Sequence, residues 1–593
     1  MVNETKTKLD GSKLAVINAR FEGVARKMSN TLLRTGRSGV LNRARDFSCC
    51  IVTADCELLT AAESLPIHTL SGPDIMAKCM KEYHPDLKKG DAFLHNSPYH
   101  GCSHPADHSL LVPVFDDDGV HRYTVVAKAH QADIGNASPT TYNGAATDVY
   151  NEGALIFPAV KLQSDFNFIA DIVRMCQLRI RVPEQWYGDL LAMVGAARIG
   201  EREIEILAAE YGWDTLAEFS GLWFDYSEKI ARLAISQLPE GHISASSSHD
   251  SLPGIVEHEI PITVGISVDP NASLVTLDLS DNMDCVPCGL NVSEACARTS
   301  AMIGLFNSID HAIPKNAGSF RCVNIIIRPG SVAGGTPHPF SCSVATTNVS
   351  DRIANSVQKG LAELADGIGM AEIGASLPAS HGVISGIDPR NQEPYVNQIF
   401  LGSSAGGASS SADGWLHYSH AGNGGMGFID SVELTELYHP IRIYKRGFVL
   451  DTGGAGRQRG GPSKTVEYGP VDCEMTVAYV ADGAKNNAQG ARGGLAGGAV
   501  KQQKETNGQL KALPACGVIT MQAGERFVIR TNGGGGYGAP LERKRDLVEH
   551  DLREGWISEV QARDTYGWTG DIPYRNTHAV CSYSMAEESS DGS

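Results

Sequence analysis

Histidine and aspartate are concentrated in one short part of the chain. His95, His100, His104 and His108 fall with Asp107 inside a span of fourteen residues, although the whole chain holds only 19 histidines. A further His-x-x-Asp pattern follows at residues 130–133. Imidazole and carboxylate groups together suit Zn²⁺, Mn²⁺ or Fe²⁺ as ligands. The pattern therefore predicts a divalent metal site, with Zn²⁺ or Mn²⁺ favoured.

The spacing of these residues indicates how they could meet. His104 and Asp107 are three residues apart, so a single turn can direct both side chains at one ion. Residues 109–128 have the pattern of a hairpin, with two apolar strands around the tight turn DDDG. Because a hairpin brings its ends together, His130 is expected beside the other two, and three protein ligands are typical of a catalytic metal site. The alternative is that these side chains cap turns and bind no metal.

A single Cys-x-x-Cys motif is a weaker candidate for chemistry. Cys285 and Cys288 form the motif and Cys296 lies downstream. One such pair without a partner pair at suitable spacing is a weak zinc or redox signal. Ordinary thiols in a loop that lines a ligand site are the favoured interpretation.

Three Gly-rich segments could also contact a ligand, at residues 453–456, 490–494 and 533–538. None is followed by the Lys-Ser/Thr of a P-loop or lies in a βαβ dinucleotide-binding unit, so nucleotide binding by this chain is not supported. Tight turns or close backbone approach are the favoured interpretation. Their amides could also hold an anionic intermediate.

The surrounding elements indicate an α+β fold. Apolar residues at helical spacing predict helices over residues 14–35 and within 183–237. Residues 47–59 have the pattern of a strand, a turn and a second strand. From about residue 240 short β-type runs and Gly-rich loops dominate. We therefore expect a multi-region fold with helical segments in the N-terminal half and a Gly-rich, β-rich C-terminal half.

Chain length indicates more than one packed region. The 593 residues exceed the roughly 250–300 at which a single hydrophobic core stops growing. We predict an N-terminal α+β region with the His/Asp cluster at residues 1–240 and a β-rich region with the Gly-rich loops at 241–540. A C-terminal helix and a disordered polar tail are predicted for 541–593.

Composition excludes several classes of partner. The net charge is −18 and no long basic tract is present, which argues against nucleic acid. The 14 cysteines are scattered, as in a reduced cytosolic protein rather than a secreted disulfide scaffold. No apolar run reaches the roughly 18 residues of a membrane helix, and the N-terminus lacks the apolar segment of a secretory signal. A cytoplasmic protein with a small-molecule substrate is expected, without a membrane or nucleic-acid partner.

A series of short motifs occurs in order along nearly the whole chain. They are residues 33–35 (LRT), 45–48 (RDFS), 66–68 (PIH), 96–99 (NSPY), 104–107 (HPAD), 113–115 (PVF), 129–135 (AHQADIG), 152–153 (EG), 181–184 (RVPE), 188–190 (GDL), 453–461 (GGAGRQRGG) and 533–538 (GGGGYG). In these motifs the chain resembles the hydantoinase B / 5-oxoprolinase B-like family, which includes the metal-bearing subunits of acetone and acetophenone carboxylases and of caprolactamase.

The resemblance implies a division of labour between two subunits. A hydantoinase A-like partner would use ATP-Mg to phosphorylate a carbonyl or lactam oxygen, in a hetero-oligomer such as α2β2. This chain would receive the activated substrate beside a metal held by His104, Asp107 and His130, with Asp46 as a further ligand. The metal could position a water or bicarbonate, and Asp133 is implied as a base or as a partner that orients His130.

Two departures from the family pattern bear on substrate identity more than on metal binding. Residues 96–99 read Asn-Ser-Pro-Tyr where relatives usually carry Asn-Asp-Pro-Tyr, and residues 101–104 read Gly-Cys-Ser-His where they carry Gly-Gly-Thr-His. Residues 130–133 read His-Gln-Ala-Asp where relatives commonly carry His-His-Ala-Asp. A carboxylate and an imidazole are lost, whereas the expected ligands remain.

The leading hypothesis is the B subunit of an ATP-dependent amidohydrolase that opens a hydantoin, an oxoproline or a lactam. The alternatives are the corresponding subunit of an ATP- and bicarbonate-dependent ketone carboxylase, and a non-catalytic scaffold subunit whose His/Asp group binds no metal. The corresponding chain of acetone carboxylase is typically longer than this one, which favours hydrolysis.

Overall fold

A computed structural model of the chain describes residues 9–62, 64–375 and 377–573. The polar tail that the sequence predicts to be disordered lies outside the described residues. The structure is 32% helical and 24% strand in several sheets, which confirms the α+β prediction. Among the described helices, none is long and apolar enough to cross a membrane.

Most long helices precede residue 240, as the apolar spacing predicts. The helices are α1 Gly11–Thr35, α2 Gly39–Asn42, α3 Pro66–Thr69, α4 Pro73–Tyr83, α5 Val149–Glu152, α6 Ala170–Arg179, α7 Pro183–Tyr211, α8 Trp213–Ile235, α9 Glu294–Phe306, α10 Ala317–Phe320, α11 Val349–Leu364, α12 Val432–Tyr438, α13 Arg545–Glu554 and α14 Glu559–Asp564. The C-terminal helix predicted after residue 541 is thus two helices, because Gly555 adopts a left-handed conformation (φ 74°) and ends α13.

The strands form four sheets. They are β1 Phe47–Thr53, β2 Leu58–Ala61, β3 Ala92–His95, β4 Asp107–Phe115, β5 His121–His130, β6 Val160–Ser164, β7 Asn167–Phe168, β8 Gly241–His249, β9 Ile260–Asp269, β10 Leu274–Asp278, β11 Val323–Ile326, β12 Val383–Ile387, β13 Pro394–Gln398, β14 Ile441–Phe448, β15 Lys464–Pro470, β16 Met475–Val480, β17 Lys501–Thr506, β18 Gln509–Ala512, β19 Cys516–Met521 and β20 Arg526–Arg530. Their orders are β2-β1-β5-β4-β3-β6-β7, β11-β10-β9-β8, β13-β12-β16-β19 and β14-β15-β20-β17-β18.

The first sheet is covered on both faces, which explains why its central strands are apolar throughout. Every residue of β1 and β4 is buried. Along β1 the side chains alternate: Ile51 packs in the cluster that contains Phe21 of α1, and Val52 packs with Met76 of α4. Helix α1 packs in turn on α7. The two layers of helix cover this sheet, and the ends of its central strands β4 and β5 carry the residues described below.

The largest apolar core runs across the boundary predicted at residue 240. One cluster of buried side chains joins Val112 of the first sheet, Ile262 of the second and Val344 of the following loop. A smaller cluster fills the sheets of the C-terminal half and includes Tyr468 and Phe527. The division at residues 240 and 540 stays a prediction.

The Gly-rich segments pack against one another by close backbone approach. The amide of Gly454 donates to the carbonyl of Gly534 at 2.9 Å, and that of Gly538 donates to the carbonyl of Ala491 at 3.0 Å. A side chain built on Gly534 would collide with the carbonyl of Gly406. Glycine is therefore required here by contact between backbones rather than by flexibility.

Candidate metal centre

The register of the β4–β5 hairpin brings two of the predicted ligands together. Asp107, the first residue of β4, lies directly opposite His130, the last residue of β5. Oδ1 of Asp107 is 3.1 Å from Nδ1 of His130. On the next strand β1 begins at Phe47, and the amide of His130 donates to the carbonyl of Asp46 at 3.1 Å. The hairpin that the sequence predicts is present, and its open end gathers these residues.

His104 reaches the same point from the turn that precedes β4. Its Nε2 lies 3.2 Å from Oδ1 of Asp107 and 3.3 Å from Nδ1 of His130. The amide of Asp107 donates to the carbonyl of His104 at 3.2 Å, which closes the turn. Nδ1 of His104 lies 2.9 Å from the carbonyl of Ser343. Because a carbonyl only accepts, the neutral imidazole carries its proton on Nδ1 and directs the Nε2 lone pair at Asp107.

The three side-chain atoms fit a divalent cation. Nε2 of His104, Oδ1 of Asp107 and Nδ1 of His130 are 3.1 to 3.3 Å apart and fully buried. Nitrogen and oxygen ligands on a tetrahedral Zn²⁺ at about 2.0–2.1 Å would be about 3.3–3.4 Å apart. A lone pair that faces a carboxylate oxygen at this distance is repelled unless a positive charge lies between them. Either a metal ion or a proton that converts His104 to imidazolium supplies that charge.

His68 joins the cluster, although neither spacing nor resemblance marks it as a ligand. It lies on α3, with Nε2 3.1 Å from Oδ2 of Asp107 and 3.7 Å from Oδ1 of Asp46. The hydroxyl of Ser48 accepts from the amide of Leu65 at 3.2 Å and lies 3.1 Å from Nδ1 of His68. That hydroxyl can therefore donate to Nδ1, which leaves the His68 proton on Nε2 toward Asp107. The sequence signal that could have pointed to His68 was the occurrence of residues 66–68 among the family motifs.

Asp46 lies at the margin of the cluster. Its Oδ1 lies 3.7 Å from Nε2 of His68, and the residue is 8% exposed. Burial, followed by the charge of Asp107, raises the pKa of Asp46 to about 8. A divalent cation beside it would favour the ionised carboxylate.

Asp107 stays ionised despite its burial. Burial acts to raise its pKa, but His68 and His104 hold that pKa well below its usual value. Burial lowers the pKa of His130 to about 4, so this imidazole is neutral near pH 7. For His104 burial acts to lower the pKa, yet Asp107 and the Ser343 carbonyl outweigh it and the pKa is raised. A carboxylate, a neutral imidazole and a basic imidazole therefore face one another.

The surroundings of the cluster fix these side chains. The ring of Tyr142 stacks on His104 and His130, with centroids 5.4 and 5.3 Å away. Oγ1 of Thr141 is 3.1 Å from Nε2 of His130. The hydroxyl of Ser103 donates to Oδ2 of Asp107 and accepts from the Lys128 ammonium at 3.0 Å. Such outer contacts hold ligand side chains in one orientation.

Asp133 is placed away from the imidazole that it was expected to orient. Its Oδ1 accepts from the amide of Gly135 at 3.0 Å and from the Arg181 guanidinium at 3.1 Å. Its Oδ2 accepts from the amide of Arg181 at 2.6 Å. The ring nitrogens of His130 contact Asp107, His104 and Thr141 instead. A base role for Asp133 stays a prediction, and the geometry gives this carboxylate a bond to the start of α7.

The other histidines of residues 95–108 contact residues outside the cluster. Nδ1 of His95 accepts from the amide of Ala159 at 3.0 Å. The indole of Trp186 donates to Nδ1 of His108 at 3.4 Å. His100 lies near the surface, 3.1 Å from the hydroxyl of Tyr83. The high density of histidines therefore indicated the region of the site. The position of each histidine relative to the sheet determines which of them meet.

The cysteines of the Cys-x-x-Cys motif are free thiols. Sγ of Cys285 lies 3.5 Å from the carbonyl of Ser331, and Cys288 is buried in the large core. Cys296 contacts the carbonyl of Ser103, next to the cluster, at 3.5 Å. Burial raises the pKa of Cys288 and of Cys296 to about 12, so both thiols are protonated.

The buried His/Asp cluster thus lies at the ends of the central strands β4 and β5 of a mixed α+β fold. The chain belongs to the hydantoinase B/oxoprolinase family, whose model matches residues 10–540. The resemblance stated from the sequence motifs is thereby confirmed.

Several members of this group are similar over their full length. The β subunit of caprolactamase from Pseudomonas jessenii is 30% identical over 96% of this chain and 99% of the relative. The B subunit of a putative D-/L-hydantoinase from a Pseudomonas species is 28% identical over 97% and 98% of the two chains. The crystal structure of the ATP-dependent caprolactamase from Pseudomonas jessenii superposes with a TM-score of 0.85 at 27% identity over 97% of this chain and 99% of that chain.

An acetone carboxylase structure has the same fold at lower identity. It superposes with a TM-score of 0.84 at 15% identity, over 96% of this chain and 80% of that chain. At this identity the similarity defines the fold and does not extend to the reaction.

Proposed function

We propose that this chain is the metal-binding B subunit of an ATP-dependent amidohydrolase that opens a cyclic amide such as a hydantoin, an oxoproline or a lactam. The observation that carries the proposal is the triangle formed by Nε2 of His104, Oδ1 of Asp107 and Nδ1 of His130, with sides of 3.1 to 3.3 Å. Relatives named as subunits of a caprolactamase and a hydantoinase support the substrate class.

His104, Asp107 and His130 would hold the metal, and Asp46 would add a fourth ligand. Zn²⁺ and Mn²⁺ suit this donor set best, and Fe²⁺ is also compatible. When bound, the metal would act as a Lewis acid that polarises an oxygen of the activated substrate.

The residues around the proposed ligands orient the ligand atoms and shield them from solvent. The Ser343 carbonyl holds the proton of His104 on Nδ1, so that Nε2 stays free toward the cluster. His68 and Ser103 both bond Oδ2 of Asp107, which leaves Oδ1 for the metal. Tyr142 covers the two imidazoles and keeps bulk water away from them. His68 and Ser103 are thus positioning residues.

ATP would be used by a partner of the hydantoinase A type, within a hetero-oligomer such as α2β2. The proposal is supported by the subunit names of the relatives and by the absence of a P-loop motif from this sequence. Phosphorylation of the amide oxygen by the partner would give the substrate that this chain receives.

Elemental analysis combined with substitution tests the metal site. We expect close to one equivalent of a divalent transition metal in the purified chain, and a loss of at least tenfold in metal content for His104→Ala and for Asp107→Ala. Both variants should keep the circular dichroism of the wild type and should abolish turnover by the assembled enzyme. Less than about a tenth of an equivalent of metal in wild type would favour the scaffold hypothesis.

Isotope labelling decides between hydrolysis and carboxylation. The ketone carboxylase hypothesis follows from the resemblance of the sequence motifs, since the acetone carboxylase structure shares only the fold. We expect turnover of a cyclic amide by the complete enzyme, without incorporation of labelled bicarbonate into the product. Label retained in an organic acid would replace the amidohydrolase proposal with the carboxylase one.

A further inference from the structure

A glutamine from the C-terminal half of the chain lies beside the metal cluster. Gln398 is the last residue of the edge strand β13 and is 1% exposed. The side chain of its neighbour Asn397 accepts at 3.1 Å from the amide of Gly39, the first residue of α2. In the same helix the carbonyl of Val40 accepts from the amide of Asp46 at 3.0 Å. Helix α2 therefore connects the end of β13 to the turn that positions Asp46.

The side chain of Tyr142 links Gln398 to the metal cluster. Its ring stacks on two imidazoles of the cluster. Burial, followed by the charges of Asp46 and Asp107, raises the pKa of the Tyr142 phenol well above its usual value. The side chain of Gln398 is close enough to the phenol oxygen to act against that rise in pKa. The carboxamide of Gln398 and the two imidazoles therefore adjoin the same tyrosine side chain.

Both polar atoms of the Gln398 side chain are buried. Neither Nε2 nor Oε1 has a hydrogen-bond partner among the residues that the structure describes. Buried side-chain amides are normally hydrogen-bonded. The adjacent Asn397 follows this rule, because it accepts from Gly39 and donates to the backbone carbonyl of Gln398 at 2.6 Å. The carboxamide of Gln398 can therefore offer a ligand both a donor and an acceptor.

The accessible surface of the metal cluster is on the side of Tyr142 and Asp46. These two residues are 6% and 8% exposed, whereas the two imidazoles and the carboxylate of the ligand triangle are at most 1% exposed. A ligand that approaches the triangle therefore meets Tyr142 and Asp46 first. Because Gln398 adjoins the phenol of Tyr142, its carboxamide is placed to contact such a ligand.

We propose that Gln398 is a specificity-determining residue whose carboxamide hydrogen-bonds the ring nitrogen of a cyclic amide held beside the metal. The proposal rests on the proposed function for the substrate class. In the intact ring the amide nitrogen donates its N–H. When the amide oxygen receives a phosphoryl group, the nitrogen gives up that proton and becomes an acceptor. A carboxamide suits both forms, because Oε1 accepts and Nε2 donates. A ketone has no ring nitrogen and forms no such bond.

Hydantoin, 5-oxoproline and ε-caprolactam are the probes for this contact, with cyclohexanone as the ketone. Titration calorimetry of the metal-loaded full chain should show binding of at least one of these amides. Gln398→Met, which keeps the length of the side chain but not its hydrogen bonds, should weaken that binding about tenfold or more. Gln185→Met is the matched control, because Gln185 donates to the carbonyl of Val396 on the same strand at 3.5 Å. The control should bind within about twofold of wild type.

An analogue methylated on the ring nitrogen tests the hydrogen bond itself. Because it has no N–H, it should bind wild type about tenfold more weakly than its parent amide, and Gln398→Met should not weaken it further. Equal affinities of the parent amide for wild type and Gln398→Met would overturn the role of Gln398 and leave the proposed function intact. Binding of cyclohexanone in preference to all three amides would contradict both.

Metal content and melting temperature separate recognition from structural support. Gln398→Met should keep the metal content of wild type and should melt no lower, because the carboxamide forms no hydrogen bond with the described residues. Loss of metal from a folded Gln398→Met would show that Gln398 supports the metal site and would overturn the proposal. Failure of all three amides to bind wild type would overturn it as well. If Gln398→Met does not fold, the amide affinities of Gln398→Asn, whose carboxamide is one methylene shorter, decide instead.

Discussion

We infer that His68 influences the affinity of the proposed metal site without binding the metal itself. Its proton is directed at Oδ2 of Asp107, which fixes the carboxylate so that Oδ1 faces His104 and His130. Removal of an outer contact of this kind typically costs 10–100-fold in metal affinity.

We therefore expect His68→Ala to bind metal roughly 10–100-fold more weakly while the fold is retained, as measured by competition with a chelator of known affinity. His121→Ala is the control, since His121 lies at the far end of β5 and contacts Thr124 at 3.0 Å. Unchanged metal affinity in His68→Ala would show that Asp107 is positioned without this imidazole.

Asp133 offers a contrast between a structural role and a catalytic one. Asp133→Asn keeps the shape of the side chain but removes the charge that Arg181 contacts at 3.1 Å. We expect a loss of about 1.5–3 kcal/mol in stability, as for other hydrogen bonds to charged groups, with full metal content. Arg181→Gln should lower the melting temperature to a similar extent. Loss of turnover at unchanged stability would instead favour the base role for Asp133.

At the residue scale, sequence patterns predicted that the candidate ligands meet, but they did not predict the residues that support them. The three-residue spacing and the hairpin pattern place His104, Asp107 and His130 together because both are local. The carbonyl of Ser343 is 239 residues from His104, and no local pattern indicates that contact. His68 comes from a four-residue helix that is too short to give a periodic signal.

At the scale of elements, strand register and backbone contacts at glycines determine how the elements pack. The β4–β5 register pairs Asp107 with His130, and the Gly-rich segments pack where backbones touch. Apolar spacing predicted α1 and the long α7 because each has a periodic buried face. The β1–β2 hairpin was predicted from two short apolar runs around a turn. The order of strands in the sheets was not predictable, because it depends on contacts between segments far apart in sequence.

A pair of glycine substitutions tests the close-contact interpretation. Gly534→Ala should destabilise the chain by about 1–3 kcal/mol or more, because the new methyl group would meet the Gly406 carbonyl. Gly221→Ala in α8 is the control: nothing lies within 4 Å, so we expect stabilisation of about 0.5–1 kcal/mol. Melting temperatures measured by differential scanning fluorimetry provide the comparison. Equal shifts of the same sign would contradict the contact argument.

At the scale of the whole molecule, the candidate metal centre involves both halves of the chain. The proposed ligands lie before residue 131, yet Ser343 orients His104 and also accepts from the amide of Asn143 at 2.9 Å. The large core likewise joins Val112 to Val344. The boundary predicted at residue 240 came from a change from helical patterns to short β-type runs along the sequence. Such a change does not indicate how much apolar surface two segments share.

Expression of residues 1–240 alone tests that boundary. Without the Ser343 carbonyl and the shared core, we expect a fragment of low solubility that binds metal at least tenfold more weakly than the full chain. Residues 9–573 serve as the control and should match the full chain in metal content. A soluble fragment with full metal affinity would establish 1–240 as an independent domain.

The pairing of Asp107 with His130 has a practical consequence for preparation of the protein. Successive side chains of a strand point to opposite faces, so a slip of one residue in the hairpin would turn one ligand away from the other. Bound metal per chain would then report the fraction of molecules with correctly paired strands. Once the proposed metal site is confirmed, metal stoichiometry can serve as a quality measure for refolded or heterologously produced batches without a substrate assay.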